Sequence, residues 1–145
     1  MSYSMTIDHQ SREVLIDLSK HANIVKQGVR SGLYFAGKQL VRTASKGILK
    51  PPKTGKYYKY KGRRKRASAE GEYPANRSGL LRRGLGFDVN GFEELEFGDT
   101  TAYAGYVELK KGNKGGRPYL KKSVEKNKDV VLNLIADNIN KELGL

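Results

Sequence analysis

The sequence predicts an α+β domain: an antiparallel β-meander packed against a long N-terminal helix and a C-terminal helix. Two observations carry that expectation. Apolar residues recur at intervals of three or four from Val25 to Ile48, the spacing of a helical stripe, and a second stripe runs from Leu120 through Val124, Val131, Leu134 and Ile135 to Ile139. Between them Leu85, Phe87 and Val89 alternate, Asn90-Gly91 marks a turn, and Leu95 and Phe97 alternate again, as paired strands do. A polar stretch separates the first helix from the strands and reads as an extended basic loop or hairpin arm. Helices segregated against one face of an antiparallel sheet are the natural product of this order.

Taken along the chain, Ser4 to His9 alternates weakly, as an edge strand would. Ser11 is placed to cap a short helix from Arg12 to Lys20, with Val14, Leu15 and Leu18 on one face. Asn23 can cap a second, longer helix to about Leu49, with Val25, Val29, Leu33, Ala36, Leu40, Ala44 and Ile48 as its stripe. Gly28, Gly32 and Ala36 stand four apart on it. A helical glycine costs about 1 kcal/mol relative to alanine, so these positions suggest close approach by another backbone. Packing on a sheet of the same chain is the favoured reading; a helix of the same chain or of a neighbouring subunit is the alternative. Pro51-Pro52 stops the helix because neither residue donates the next backbone hydrogen bond.

From Lys53 to Ser78 the chain is polar, with Gly55, Gly62, Gly71 and Pro74 as breakers. This arm, about residues 50–78, is expected to be a long loop or a β-hairpin around Tyr57–Tyr60, mobile in the free subunit. After the Asn90-Gly91 hairpin, Ala102 to Leu109 reads as a third strand with Tyr103, Gly105, Val107 and Leu109 on one face. A second glycine- and lysine-rich loop follows from Lys110 to Gly116. Pro118 suits the first turn of the last helix, whose stripe is Leu120, Val124, Val131, Leu134, Ile135 and Ile139, and Gly144 is its stop. There is no internal repeat, and 145 residues suit a single domain, 1–145.

Composition bounds the function. The chain is polar, with 37% hydrophobic residues and a mean hydropathy of −0.66, yet its periodic apolar segments argue against wholesale disorder. No apolar run approaches the ~20 residues of a membrane span, and Met1–Gln10 lacks a signal-peptide core; a cytoplasmic place of synthesis and residence is expected. Cysteine is absent, which excludes disulfides, thiolate metal sites and thiol nucleophiles. Lys and Arg number 28 against 15 Asp and Glu, a net charge of +13. Nine of those basic residues fall between Lys50 and Arg66 with no acidic residue among them, leaving +4 for the rest. Such a patch is compatible with nucleic acid, an acidic protein surface or an anionic membrane.

Little in the sequence points to catalysis. The two histidines, His9 and His21, have no metal-binding spacing, and there is neither a GxxxxGK[ST] phosphate loop nor a G-x-S-x-G elbow. Glu93, Glu94 and Glu96 fit a solvated strand edge. Glu70 and Glu72 flank Gly71 in a segment expected to move, poor ground for an acid–base pair. Glu108, at the end of an apolar strand, is expected to pair with Arg117. The reading is a protein that is not an enzyme, with no catalytic, cofactor or metal site. The arm carries more information. Tyr57, Tyr58 and Tyr60 interleave with Lys56, Lys59, Lys61 and Lys65, a stacking-plus-phosphate pattern that suits nucleic acid. The same arm, with Arg63, Arg64 and Arg66, equally suits a clasp on a neighbouring protein.

Three segments together resemble the head–tail joining, or tail-completion, proteins of the neck of long-tailed bacteriophages. The run Gly71-Glu72-Tyr73-Pro74-Ala75-Asn76-Arg77-Ser78-Gly79-Leu80-Leu81-Arg82-Arg83-Gly84-Leu85 is similar to that family's G-x-x-P segment followed by [ST]-G-x-L-[KR]-x-S/G at the entry to the sheet. Ala102-Tyr103-Ala104-Gly105-Tyr106-Val107-Glu108-Leu109 is similar to its YA-x-Y-V-E-x-G strand. Gly116-Arg117-Pro118-Tyr119-Leu120 is similar to its [AR]-R-P-[FY]-L entry to the final helix. The three occur in the family's order and with their flanks cover roughly residues 20–143. The chain departs from the pattern at Leu109-Lys110-Lys111-Gly112, where glycine then threonine is usual, and at Gly84, where serine is common. The resemblance implies a structural virion protein, assembled in the host bacterial cytoplasm and resident at the neck. It implies a homo-oligomeric ring, commonly six-fold, between the head-side connector and the tail-tube or tail-terminator proteins, around the double-stranded DNA channel. No membrane partner is expected. The contacts are expected from Tyr57, Tyr58, Tyr60, Arg63, Arg64, Arg66, Glu108, Lys110, Lys111 and Arg117, with the arm lysines facing nucleic acid. The alternative is a basic nucleic-acid-binding protein using the same arm.

Overall fold

The computed structural model describes the backbone of residues 9–50, 53–109 and 115–145, and side chains from residue 20 onward within those segments. The chain is α+β. Its order is α1 (His9–Leu49), β1 (Tyr57–Tyr60), β2 (Arg63–Arg66), α2 (Leu80–Gly84), β3 (Leu85–Asn90), β4 (Glu94–Asp99), α3 (Ala104–Leu109), α4 (Tyr119–Lys126) and α5 (Lys128–Leu143). The edge strand expected at Ser4–His9 lies outside the described residues except for His9, which opens α1.

Helix α1 is continuous over 41 residues, about 60 Å at 1.5 Å per residue. The expected division into two helices fails because nothing between Lys20 and Ile24 breaks a helix; Asn23 lies in the interior, and Ser11 falls within the first turn of α1. Its stripe is as the spacing predicted. Leu33, Ala36, Leu40, Ala44 and Ile48 are buried, and Val25 and Val29 are half-buried. The core gathers at the C-terminal end, where Ile48 meets Tyr73, Leu81, Ala104 and Tyr119, with Leu85, Val107 and Leu120 packed around them.

The glycines of α1 face a helix of the same chain rather than a sheet. A Cβ on Gly28 would lie 2.6 Å from Ile139 Cα, and one on Gly32 would lie 2.5 Å from Ile135 Cα, so α5 crosses backbone to backbone. Because 28 pairs with 139 and 32 with 135, the two helices run antiparallel. The sheet is met one turn further on, where a Cβ on Gly37 would enter the Phe87 ring.

Among the described residues two separate two-stranded antiparallel sheets form, β1–β2 and β3–β4. In the second, Phe87 pairs with Phe97 and Val89 with Leu95, which turns the alternating apolar residues to α1 and leaves Asp88 opposite Glu96 on the outer face. Among the described residues no third strand joins it. Ala102–Leu109 contains helix α3, which buries Ala104 and half-buries Val107 three positions on; a helical face suffices for so short a segment, and Gly105 is exposed. The expected meander is therefore a single hairpin.

The last helix is broken in two at Asn127, where the backbone takes φ −104° and ψ 9°. Its buried side chain fastens the break to α1. Asn127 Nδ2 donates to Thr43 Oγ1 at 2.9 Å and to Ser123 O at 2.7 Å, and Oδ1 accepts from Gln39 Nε2 at 3.2 Å. Ser123 Oγ donates to Tyr119 O at 2.6 Å, which leaves Tyr73 to donate to Ser123 Oγ at 3.1 Å. Of the expected stripe, Val131, Leu134, Ile135 and Ile139 are half-buried, whereas Val124 is exposed. Gly144 ends α5 in the left-handed conformation at φ 76°, with its N–H on Lys141 O and that of Leu145 on Asn140 O. Among the described residues no helix is long and apolar enough to cross a membrane.

Candidate interaction site on the basic hairpin

The basic arm is an antiparallel hairpin with a two-residue turn. Lys61 and Gly62 both take positive φ, 49° and 74°, as the turn that matches strand twist requires. The ladder continues past the strands through Gly55 N to Ala67 O at 2.8 Å and Ala67 N to Lys56 O at 2.9 Å. The Arg66 guanidinium adds bonds to Gly55 O and Thr54 O.

Pairing of Tyr57 with Arg66, Tyr58 with Lys65, Lys59 with Arg64 and Tyr60 with Arg63 splits the arm into two faces, because successive side chains point to opposite sides. Tyr57, Lys59, Arg64 and Arg66 form the outer face and all are exposed. The Arg64 guanidinium stands 4.0 Å and that of Arg66 5.0 Å from the Tyr57 ring centroid, cation–π contacts worth about 0.5–1 kcal/mol each at an exposed site. On the other face Tyr58, Tyr60 and Lys65 are half-buried, and the Arg77 guanidinium lies 4.5 Å from the Tyr58 ring centroid. The three tyrosines thus do not make one stacking platform; only Tyr57 offers a ring outward, and two arginines already lie over it. Lys56, Lys61 and Arg63 are exposed.

The base of the arm is fastened by residues that sequence reasoning assigned otherwise. The Glu72 carboxylate accepts from the Thr54 hydroxyl, from Thr54 N at 3.0 Å and from Ala69 N at 2.8 Å. Those bonds, the hydroxyl foremost, hold its pKa at about 2. Glu72 is therefore a fixed clamp and not a carboxylate in a loose loop. Lys53 Nζ donates to Gly47 O at 2.8 Å and Tyr73 O at 2.9 Å, capping the end of α1; burial lowers its pKa, Glu72 partly opposing.

The expected pairing of Glu108 with Arg117 is replaced by two other attachments. Glu108 accepts from Leu120 N at 3.0 Å and Lys121 N at 2.9 Å. It caps α4, whose first N–H groups have no partner within the helix and favour a carboxylate. Arg117 turns the opposite way, donating to Ser68 Oγ at 2.9 Å and Ser68 O at 2.8 Å, and so ties the arm to the chain entering α4. No periodicity links Ser68 to Arg117 or Arg77 to Tyr58, and nothing in the sequence could have pointed to these pairs. Lys110 and Lys111 lie outside the described residues.

Beside the arm's base is a cleft of about 490 Å³, with Pro74, Arg77, Leu80, Tyr103, Tyr106 and Arg117 among its walls. In the core cluster Tyr119 is buried and donates to Asp99 Oδ2 at 2.8 Å; burial and that carboxylate push its pKa above the ordinary phenol range. Among the described residues no cluster of three His, Cys, Asp or Glu side chains could hold a metal ion. A scan against protein-family models finds no match, and searches of curated proteins and of solved structures find no similar chain.

Proposed function

We propose that this chain is a structural protein of the neck of a long-tailed bacteriophage. It would act as a tail-completion or head–tail connector subunit that forms a ring, commonly six-fold, around the DNA channel and joins tail to capsid. The observation that carries this reading is the ordered set of three motifs. Two of them lie at corners of the fold: Gly71–Leu85 turns the chain from the arm into β3, and Gly116–Leu120 leads into α4. The middle one departs from the pattern, since Ala102–Leu109 contains a helix in place of a strand. Surface chemistry adds support. Tyr34 and Phe35, whose ring centroids lie 5.9 Å apart, are each 46% exposed, an apolar pair open to a neighbour in an assembly.

The arm is the natural contact element. Tyr57–Arg66 should be replaced by a short Gly-Ser link between Lys56 and Ala67, which are already joined by a backbone hydrogen bond. The variant is expected to fold and to leave heads and tails unjoined when it is the only source of the protein in infected cells. An infectious yield equal to that of the parent would remove the arm from the mechanism, and absence of the chain from purified particles would overturn the reading. The second reading, a basic nucleic-acid-binding protein, is favoured by one observation: three cations surround an exposed tyrosine on the outer face of the arm.

A further inference from the structure

The arm has a counterpart of opposite charge in the same molecule. From Leu85 to Leu109 there are six carboxylates and no Lys or Arg, and most of them belong to the β3–β4 hairpin. On its outer face Asp88 stands directly opposite Glu96, and Asn90 opposite Glu94; all four are exposed. Among the described residues no side chain hydrogen-bonds to Asp88, Glu94 or Glu96. The outer face of the arm has the same layout with the sign reversed: Lys59 opposite Arg64, and Tyr57 opposite Arg66. Each face is a two-by-two patch of three like charges and one neutral corner.

Like charges directly opposite each other on a ladder are destabilising, and each hairpin carries such a pair on a face that no other part of the described chain covers. Cross-strand neighbours on both faces share a spacing of about 4.5–5.5 Å. A cation pair on one hairpin is therefore matched in spacing to a carboxylate pair on the other. We propose that the outer face of β3–β4 is the docking surface for the outer face of the β1–β2 arm of a second copy of this chain. Lys59 and Arg64 then meet Asp88 and Glu96, and Arg66 meets Glu94. Two different patches are joined, so the contact is heterologous, the type that builds rings when its rotation closes. Among the described residues neither like-charge pair is covered within one copy, and docking relieves both.

This inference rests on the reading of the chain as one member of an assembly of copies, and its test is separate from that of the neck function. The full chain is examined by sedimentation velocity at about 0.1 M and about 1 M salt, between which the screening length falls from about 10 Å to about 3 Å. The parent is expected to associate at the lower salt and to do so at least roughly tenfold more weakly at the higher. K59E/R64E and D88K/E96K are each expected to lose association while keeping their helical circular dichroism, since each keeps a like-charge pair in its own hairpin. The combined four-site variant, with the signs exchanged, is expected to regain it. A parent that stays monomeric at low salt, a two-site variant that associates like the parent, or a folded four-site variant that stays monomeric would each overturn the proposal. Those results leave the particle assay untouched, whereas absence of the chain from purified particles sinks the neck reading and leaves self-association standing.

Discussion

At the scale of single residues, one carboxylate clamps the base of the arm. Glu72 is ionised against three donors, and its pKa of about 2 lies below the ordinary 4.5. Folding therefore favours the charged form. Its contribution is complete above about pH 4.5 and is lost as pH falls through about 2. The expected observation is a carbon-13 titration of the Glu72 carboxyl with a midpoint near 2, followed by the Thr54 and Ala69 amide signals. A midpoint near 4.5 would mean that the clamp is not closed in solution. Neutralising the group by Glu72→Gln should speed amide exchange at Ala69 at neutral pH. The sequence offered Glu72 only as one of two acids around a glycine, because its donors, Thr54 and Ala69, share no pattern with it. Arg117 is the same kind of case: its nearest acid in sequence logic was Glu108, but helix α4 claimed that carboxylate first.

The elements were legible where periodicity ran long enough to decide. The stripe from Val25 to Ile48, the Phe87 and Phe97 alternation and the Gly144 stop all have counterparts in the fold. Ala102–Leu109 did not, because six or eight residues fit both periods and only the burial of Ala104 and Val107 decides between them. The α1–α5 crossing was half visible: small residues four apart announced a close backbone, but not which one. The contact is backbone to backbone, which gives a sharp test. Gly32→Leu is expected to destabilise the protein by about 1–3 kcal/mol through overpacking, read from the midpoint of urea unfolding. Shortening the opposing side chain by Ile135→Ala should not rescue it, since the obstacle is the Ile135 Cα. Full rescue would mean that side chains alone set the separation.

For the molecule as a whole, charge is the property that the sequence declared most openly and the fold then organised. Nine basic residues and no acidic one from Lys50 to Arg66, and six acidic with no basic from Leu85 to Leu109, become two hairpins with exposed faces of opposite sign. The sequence listed both runs; their matched two-by-two layout needed the strand registers. This sets an expectation for nucleic acid. If the outer face of the arm grips duplex DNA through Lys59, Arg64 and Arg66, the logarithm of affinity should fall against the logarithm of salt with a slope of about −2.7, at about 0.9 per phosphate. Gel shifts across a salt series measure it, and the arm-replaced variant should then lose binding. A slope unchanged by the replacement would exclude the arm as the DNA contact.

The unequal lengths of α1 and α5 have a mechanical outcome. With 28 beside 139 and 32 beside 135, Leu143 comes level with Ile24, so the stretch His9–Asn23 runs on past the end of its companion, about 22 Å of uninterrupted rod. The same rod is buried at Leu40, Ala44 and Ile48, beside the hydrophobic centre. A tug on the overhang is delivered to that centre as from the handle of a lever, with the Gly28–Gly32 crossing for its fulcrum.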